Sequence, residues 1–118
     1  MGYTKFGEYF RILRIKHHEV LANAKTFLGV SSAFISSVEC GKKAIPQTWF
    51  GLISEHYNLN EKERAELREA IDLSQQTLKL DLSIASQAQK QVAIQFQRSF
   101  QEMDDETASE IKAILERK

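Results

Sequence analysis

A single cysteine and a single proline leave this 118-residue chain almost nothing with which to staple or kink itself. Cys40 alone cannot close an intrachain disulfide and falls short of a zinc knuckle, so neither a redox staple nor a structural metal is expected. Stability must come from packing, and 42% hydrophobic residues supply enough for one domain with a real core plus a small appendage. Long apolar runs are missing too. The N-terminus has no cationic stretch leading into an apolar segment, which argues against a membrane span or secretory leader and makes the expected location cytoplasmic. Sixteen basic against sixteen acidic residues leave no excess of either sign to mark the whole chain as a binder of nucleic acid or membrane.

The neutral total is a cancellation. Residues 1–57 carry seven Lys/Arg and four Asp/Glu, whereas residues 58–118 carry nine and twelve. In the first half, Lys5, Arg11, Arg14, Lys16, Lys25, Lys42 and Lys43, joined by His17 and His18, suit an anionic partner.

Apolar residues recur at spacings of three and four along most of the length, which predicts a nearly all-helical chain. A first helix follows the cap candidate Thr4 to about Lys16, burying Phe6, Tyr9, Phe10 and Leu13. A second, from about Glu19 to Leu28, has Leu21, Ala24 and Leu28 in one stripe and stops at Gly29, a residue that tolerates positive φ. Ser31 or Ser32 caps a third helix to about Cys40, with Ile35 and Val38 inward and Gly41 as its stop. Pro46 is expected to open a fourth, carrying Trp49, Phe50, Leu52, Ile53 and Tyr57. Asn60 and Glu63 form a capping box for a fifth helix, to about Gln75, with Leu67, Ala70 and Ile71 inward.

From Thr77 to Ser83 apolar and charged residues alternate, as in a short half-exposed strand or extended linker. Helical spacing resumes near Ser86 with Ala88, Val92, Phe96, Phe100 and Met103 in one stripe. Asp104 or Asp105 then caps a last helix holding Ala108, Ile111, Ile114 and Leu115. The expected organisation is a five-helix unit over residues 1–76, then a short extended segment and a C-terminal helical hairpin over residues 77–118.

Leu21 to Cys40 combine a helix stripe, a glycine at the ninth position and a second short helix with inward residues at the fifteenth and eighteenth. Such a pattern lets the chain reverse tightly and pins one helix across another, projecting it from the surface. The stretch LGVSSAFISSVECGKKAIP resembles the turn, recognition helix and following loop of the Cro/repressor-like (XRE) helix-turn-helix family. The resemblance covers about Thr4 to Gln75 and implies five helices around one small core, with Leu21 to Leu28 supporting and Ser32 to Cys40 recognising. Glu39, Cys40, Gly41 and Lys42 stand where the family usually has an acidic residue, a polar one, glycine and a base. Three positions depart from its pattern: Lys25 replaces a small residue where the two helices touch, Leu21 replaces a polar first residue, and Cys40 replaces the polar one.

The resemblance implies double-stranded DNA as partner. The outward face of the third helix then reads Ala33, Ser36, Ser37 and Cys40, with no Arg, Asn or Gln for bidentate base contacts. Small side chains permit close approach to the groove floor and leave much of the specificity to DNA shape. Lys42 and Lys43 lie where the family contacts phosphate, and the N–H groups of helices starting near Ser32, capped by Ser31, and near Gln47 are natural anion sites.

Other chemistry is weakly signalled. His17, His18, His56 and Cys40 lack metal-ligand spacing, the serines lack a nucleophile-elbow context, and Asp104 to Glu106 sit where a helix start favours acids. No enzyme, cofactor or metal is expected. The function implied is a sequence-specific DNA-binding transcriptional regulator, a homodimeric repressor reading the major groove with the helix at 32–40. Its dimer contact is expected from Leu80, Val92, Phe96, Phe100, Ile111 and Leu115, an apolar stripe larger than a short hairpin can hide. The alternative is an antitoxin or protein-interaction regulator that neutralises a partner protein through its acidic C-terminal half.

Overall fold

Hydroxyl and carboxylate caps start most of the helices. The computed structural model describes residues 2–117, and the described residues are all-α, with no strand. Helix α1 (Lys5–Lys16) begins where Thr4 Oγ1 accepts the Gly7 N–H at 3.1 Å. Helix α2 (Leu21–Leu28) ends at Gly29, whose φ of 69° is left-handed and costs a side-chain-free residue little. Ser31 Oγ caps α3 (Ser32–Glu39) by accepting the Phe34 N–H at 3.1 Å. Helices α4 (Trp49–His56) and α5 (Glu61–Ser74) follow, the latter opened by the reciprocal Asn60/Glu63 box. Ser86 and Gln89 form a second box at α6 (Gln87–Ser99), a 3-10 turn spans Phe100–Glu102, and Asp104 caps α7 (Asp105–Glu116).

The chain divides into two units, one ending at Leu78 and one beginning at Lys79. The core of the first is aromatic at its centre. Phe6, Phe10 and Trp49 are almost fully buried and lie with ring centroids 5.6 to 6.3 Å apart. Such pairs add about 0.5–1.5 kcal/mol each beyond the burial of their area. Ala24 and Leu28 from α2, Ile35 and Val38 from α3, Ile53 from α4 with Tyr57 just beyond it, and Leu67 and Ile71 from α5 close around them. Helix α1 packs along α5 and across α3, while α2 packs on α3 and α4.

One expectation needs correction. Pro46 does not open α4: its carbonyl accepts the Trp49 N–H at 3.1 Å in a turn, and helical geometry starts one turn later. Of the two readings of the alternating Leu78, Leu80 and Leu82 segment, strand or extended linker, the linker holds, since no strand is present among the described residues. Asp81 instead accepts the Ser83 N–H at 2.9 Å, a local turn that competes with extension where no partner strand exists. The second unit contains the two expected helices, α6 and α7, joined through the 3-10 turn that directly continues α6.

Candidate nucleic-acid interface

The exposed side of α3 is defined by what its buried side must do. Ile35 and Val38 face the core, where Ala24 and Leu28 of α2 meet them below the Gly29 turn. Helical geometry then turns Ala33 and Ser36 outward, and both are exposed, while Ser32, Ser37 and Cys40 are half-buried. Lys25, the bulky departure from the motif, is exposed, so its stem does not enter the contact between α2 and α3.

The turn after α3 is held tightly. The Ser37 carbonyl accepts the N–H groups of Lys42 at 2.8 Å and Lys43 at 3.3 Å, and the Gly41 carbonyl accepts from Gln76 Nε2 at 2.9 Å. Both lysines are exposed. Lys43 Nζ lies 5.9 Å from the ring centre of Phe34, which packs edge-on against Trp49 at 6.0 Å. The lysine is therefore held beside the α3 surface by a cation–π contact with a ring anchored in the core. Phe34 was absent from the sequence-based site; its signal was an aromatic residue one position from the outward-facing Ala33.

Beneath this surface, Arg14 of α1 reaches Glu39 at the end of α3, with Nη1 donating to Oε2 at 2.8 Å. Both side chains are buried, at 8% and 3% exposure. Arg14 also lies over the Phe10 ring at 4.6 Å. Arg14 thus leaves the set of positive residues expected to face an anionic partner; its charge is spent inside the fold. The Glu39 carbonyl accepts both the backbone N–H and the hydroxyl of Thr4, at 2.9 and 3.1 Å. Two independent attachments thus fix the C-terminal end of α3 to α1.

A second polar cluster fixes the approach to α2. Glu19, in the α1–α2 turn, accepts from His56 Nε2 at 2.9 Å and from the Tyr57 hydroxyl at 2.8 Å. Phe27 of α2 stacks on the His56 ring at 3.9 Å and 7°. Partial burial pushes the Glu19 carboxyl up, but hydrogen bonds from His56 and Tyr57, with the charges of His56 and His17, outweigh it and leave the group below its ordinary value of 4.5. Burial, then the neighbouring Glu19, raises the Tyr57 hydroxyl. A carboxyl that is more acidic when folded contributes stability above its unfolded value, and that contribution disappears as pH falls through the folded value. Glu19→Gln should therefore destabilise the protein at pH 7, and the gap to the natural chain should close as pH drops below 4.5 in urea unfolding followed by Trp49 fluorescence.

No group of three or more His, Cys, Asp or Glu among the described residues is arranged to hold a metal ion, and no described helix is long and apolar enough to cross a membrane. Comparison of the chain with protein-family models, curated proteins and solved structures finds no match.

Proposed function

We propose that this chain is a sequence-specific DNA-binding transcriptional regulator of the Cro/repressor-like helix-turn-helix kind, a repressor that works as a homodimer and reads the major groove with α3. The observation that carries the reading is the α2–Gly29–α3 arrangement, in which a helix pinned by Ile35 and Val38 presents uncovered Ala33 and Ser36 beside the exposed cations Lys42 and Lys43. A face of small side chains approaches base edges closely: Ala33 suits a thymine methyl, and serine hydroxyls donate or accept. Ser37 and Cys40 flank that face, and the start of α3, with Ser31 exposed and Ser32 half-buried, offers backbone N–H groups to a phosphate.

With few groups to read bases, phosphate contacts supply most of the affinity, and binding should weaken steeply with salt. The test begins by selecting duplexes from a random pool with the purified full chain and footprinting the bound DNA. Lys42→Ala combined with Lys43→Ala should then weaken binding similarly on all sequences and lower the log–log salt slope by roughly 2 if both lysines contact phosphate. Failure to enrich any sequence would overturn the sequence-specific reading, and an unchanged salt slope in the double variant would remove the phosphate track from the account.

A further inference from the structure

We propose that α3 recognises the 5-methyl groups of pyrimidines, so that the duplexes this chain selects are defined by where thymine methyls stand in the major groove, with 5-methylcytosine serving in their place. This rests on the DNA reading above and names the feature of the duplex that it recognises; the test lets either fail alone.

The outward stripe of α3 runs through Ala33, Ser36, Ser37 and Cys40, at spacing i, i+3, i+4, i+7. Ala33 and Ser36 are exposed, and Ser37 and Cys40 are half-buried. Two kinds of group stand on this stripe. The serines offer hydroxyls, and a hydroxyl turns about its C–O bond to donate or accept as the facing base edge requires. It therefore meets the acceptors of guanine or the amino group of cytosine with little preference. Discrimination by paired hydrogen bonds needs the planar fork of Arg, Asn or Gln, and α3 contains none of these residues. Its single carboxylate, Glu39, is buried against Arg14.

The second kind of group is apolar. Ala33 presents a methyl group and Cys40 a thiol that packs as a small hydrophobe, seven residues further along the same side. Phe34, three residues before Ser37, adds an aromatic rim. Its half-buried ring is fixed edge-on to Trp49 at 6.0 Å, with Lys43 Nζ 5.9 Å from its centre. Among the four bases, thymine alone carries an apolar group on its major-groove edge, the methyl at C5. A face whose hydroxyls accept any edge, and whose other groups are apolar, distinguishes bases by that methyl. Lys42 and Lys43 add affinity at the phosphates without preference among bases. Cytosine methylated at C5 presents the same methyl, and the serine hydroxyls follow its altered hydrogen-bonding edge by rotating.

The test uses the full chain and the duplex it enriches from the random pool. Each thymine in the footprint is replaced in turn by uracil, cytosine or 5-methylcytosine, with the matching purine opposite, and affinity is read by fluorescence anisotropy. At positions facing α3, thymine and 5-methylcytosine should bind alike, and uracil and cytosine about 4-fold more weakly for each methyl lost, the effect of one buried carbon. Recognition of DNA shape or of hydrogen-bonding edges groups the duplexes the other way, thymine with uracil and cytosine with 5-methylcytosine. Ala33→Ser, checked as folded by Trp49 fluorescence, removes the apolar end of the stripe and should make thymine and uracil equivalent at one position of each half-site. Uracil equal to thymine throughout the footprint, or 5-methylcytosine no better than cytosine, overturns the methyl reading and leaves sequence-specific binding standing. Undiminished thymine preference at every position in the Ala33→Ser chain takes the contact away from α3 and overturns it as well. A chain that enriches no duplex overturns both readings.

Discussion

Glu39→Ala should cost about 3–5 kcal/mol of folding stability, a large part of the roughly 5–15 kcal/mol that holds a small domain together. The reason is the partner left behind. Arg14 is buried against Phe10, and its Nη1 donates to Glu39 at 2.8 Å; without the carboxylate an unpaired guanidinium stays away from water. Exposed pairs rarely reach 1 kcal/mol because water replaces the lost partner, and that escape is closed here. The converse substitution separates pairing from packing. Replacing both residues together, as Arg14→Met with Glu39→Leu, removes two desolvated charges at once and should recover most of the loss. Urea unfolding monitored at Trp49 measures all three chains. A Glu39→Ala variant within 1 kcal/mol of the natural protein would mean that the pair does not anchor α3.

Gly7→Ala should cost about 3 kcal/mol, although alanine is the better helix former. Helix α1 approaches α3 so closely at this point that a Cβ on Gly7 would overlap the Glu39 carbonyl, which is backbone and cannot swing away. The same carbonyl accepts both Thr4 hydrogen bonds, so any retreat of α1 loosens the cap as well. Intrinsic propensity favours alanine by about 1 kcal/mol, and the overlap must exceed that for the sign to hold. Gly51 in α4 is the control, since nothing lies within 4 Å of the position its Cβ would take. Gly51→Ala should stabilise by about 0.5–1 kcal/mol in the same unfolding measurement. A stabilised Gly7→Ala chain would contradict the close contact of α1 with α3.

The caps at Thr4, Ser31, Asn60 and Asp104 were legible in the sequence because each is decided within three residues by a side-chain acceptor and the N–H it faces. The stop at Gly29 was legible for the same local reason. The start of α4 was less so, because proline suits both a first helical turn and the turn that its carbonyl closes on the Trp49 N–H. The segment around Leu80 has the pattern of a strand, but a strand is a property of two segments, and no second one exists among the described residues.

In the site, the outward Ala33 and Ser36 followed from helical period alone, whereas the attachments that orient their helix did not. Arg14 and Glu39 lie 25 residues apart, and Glu19 lies 37 and 38 from His56 and Tyr57. Nothing in local spacing distinguishes such residues from surface charges, so Arg14 reads as one more solvent-facing cation until the fold buries it.

The central claim, that α3 is the surface that meets DNA, rests most directly on Ser36→Glu. Ser36 is exposed and glutamate is a good helix former, so the fold should survive the change. Placing a carboxylate against the groove should abolish binding to both selected and random duplexes, while Trp49 fluorescence and the sedimentation mass stay those of the natural chain. Fluorescence anisotropy with a labelled selected duplex measures this. Loss of binding by a folded Ser36→Glu chain is the predicted result, and selected-duplex affinity left intact would place the DNA contact elsewhere and contradict the account.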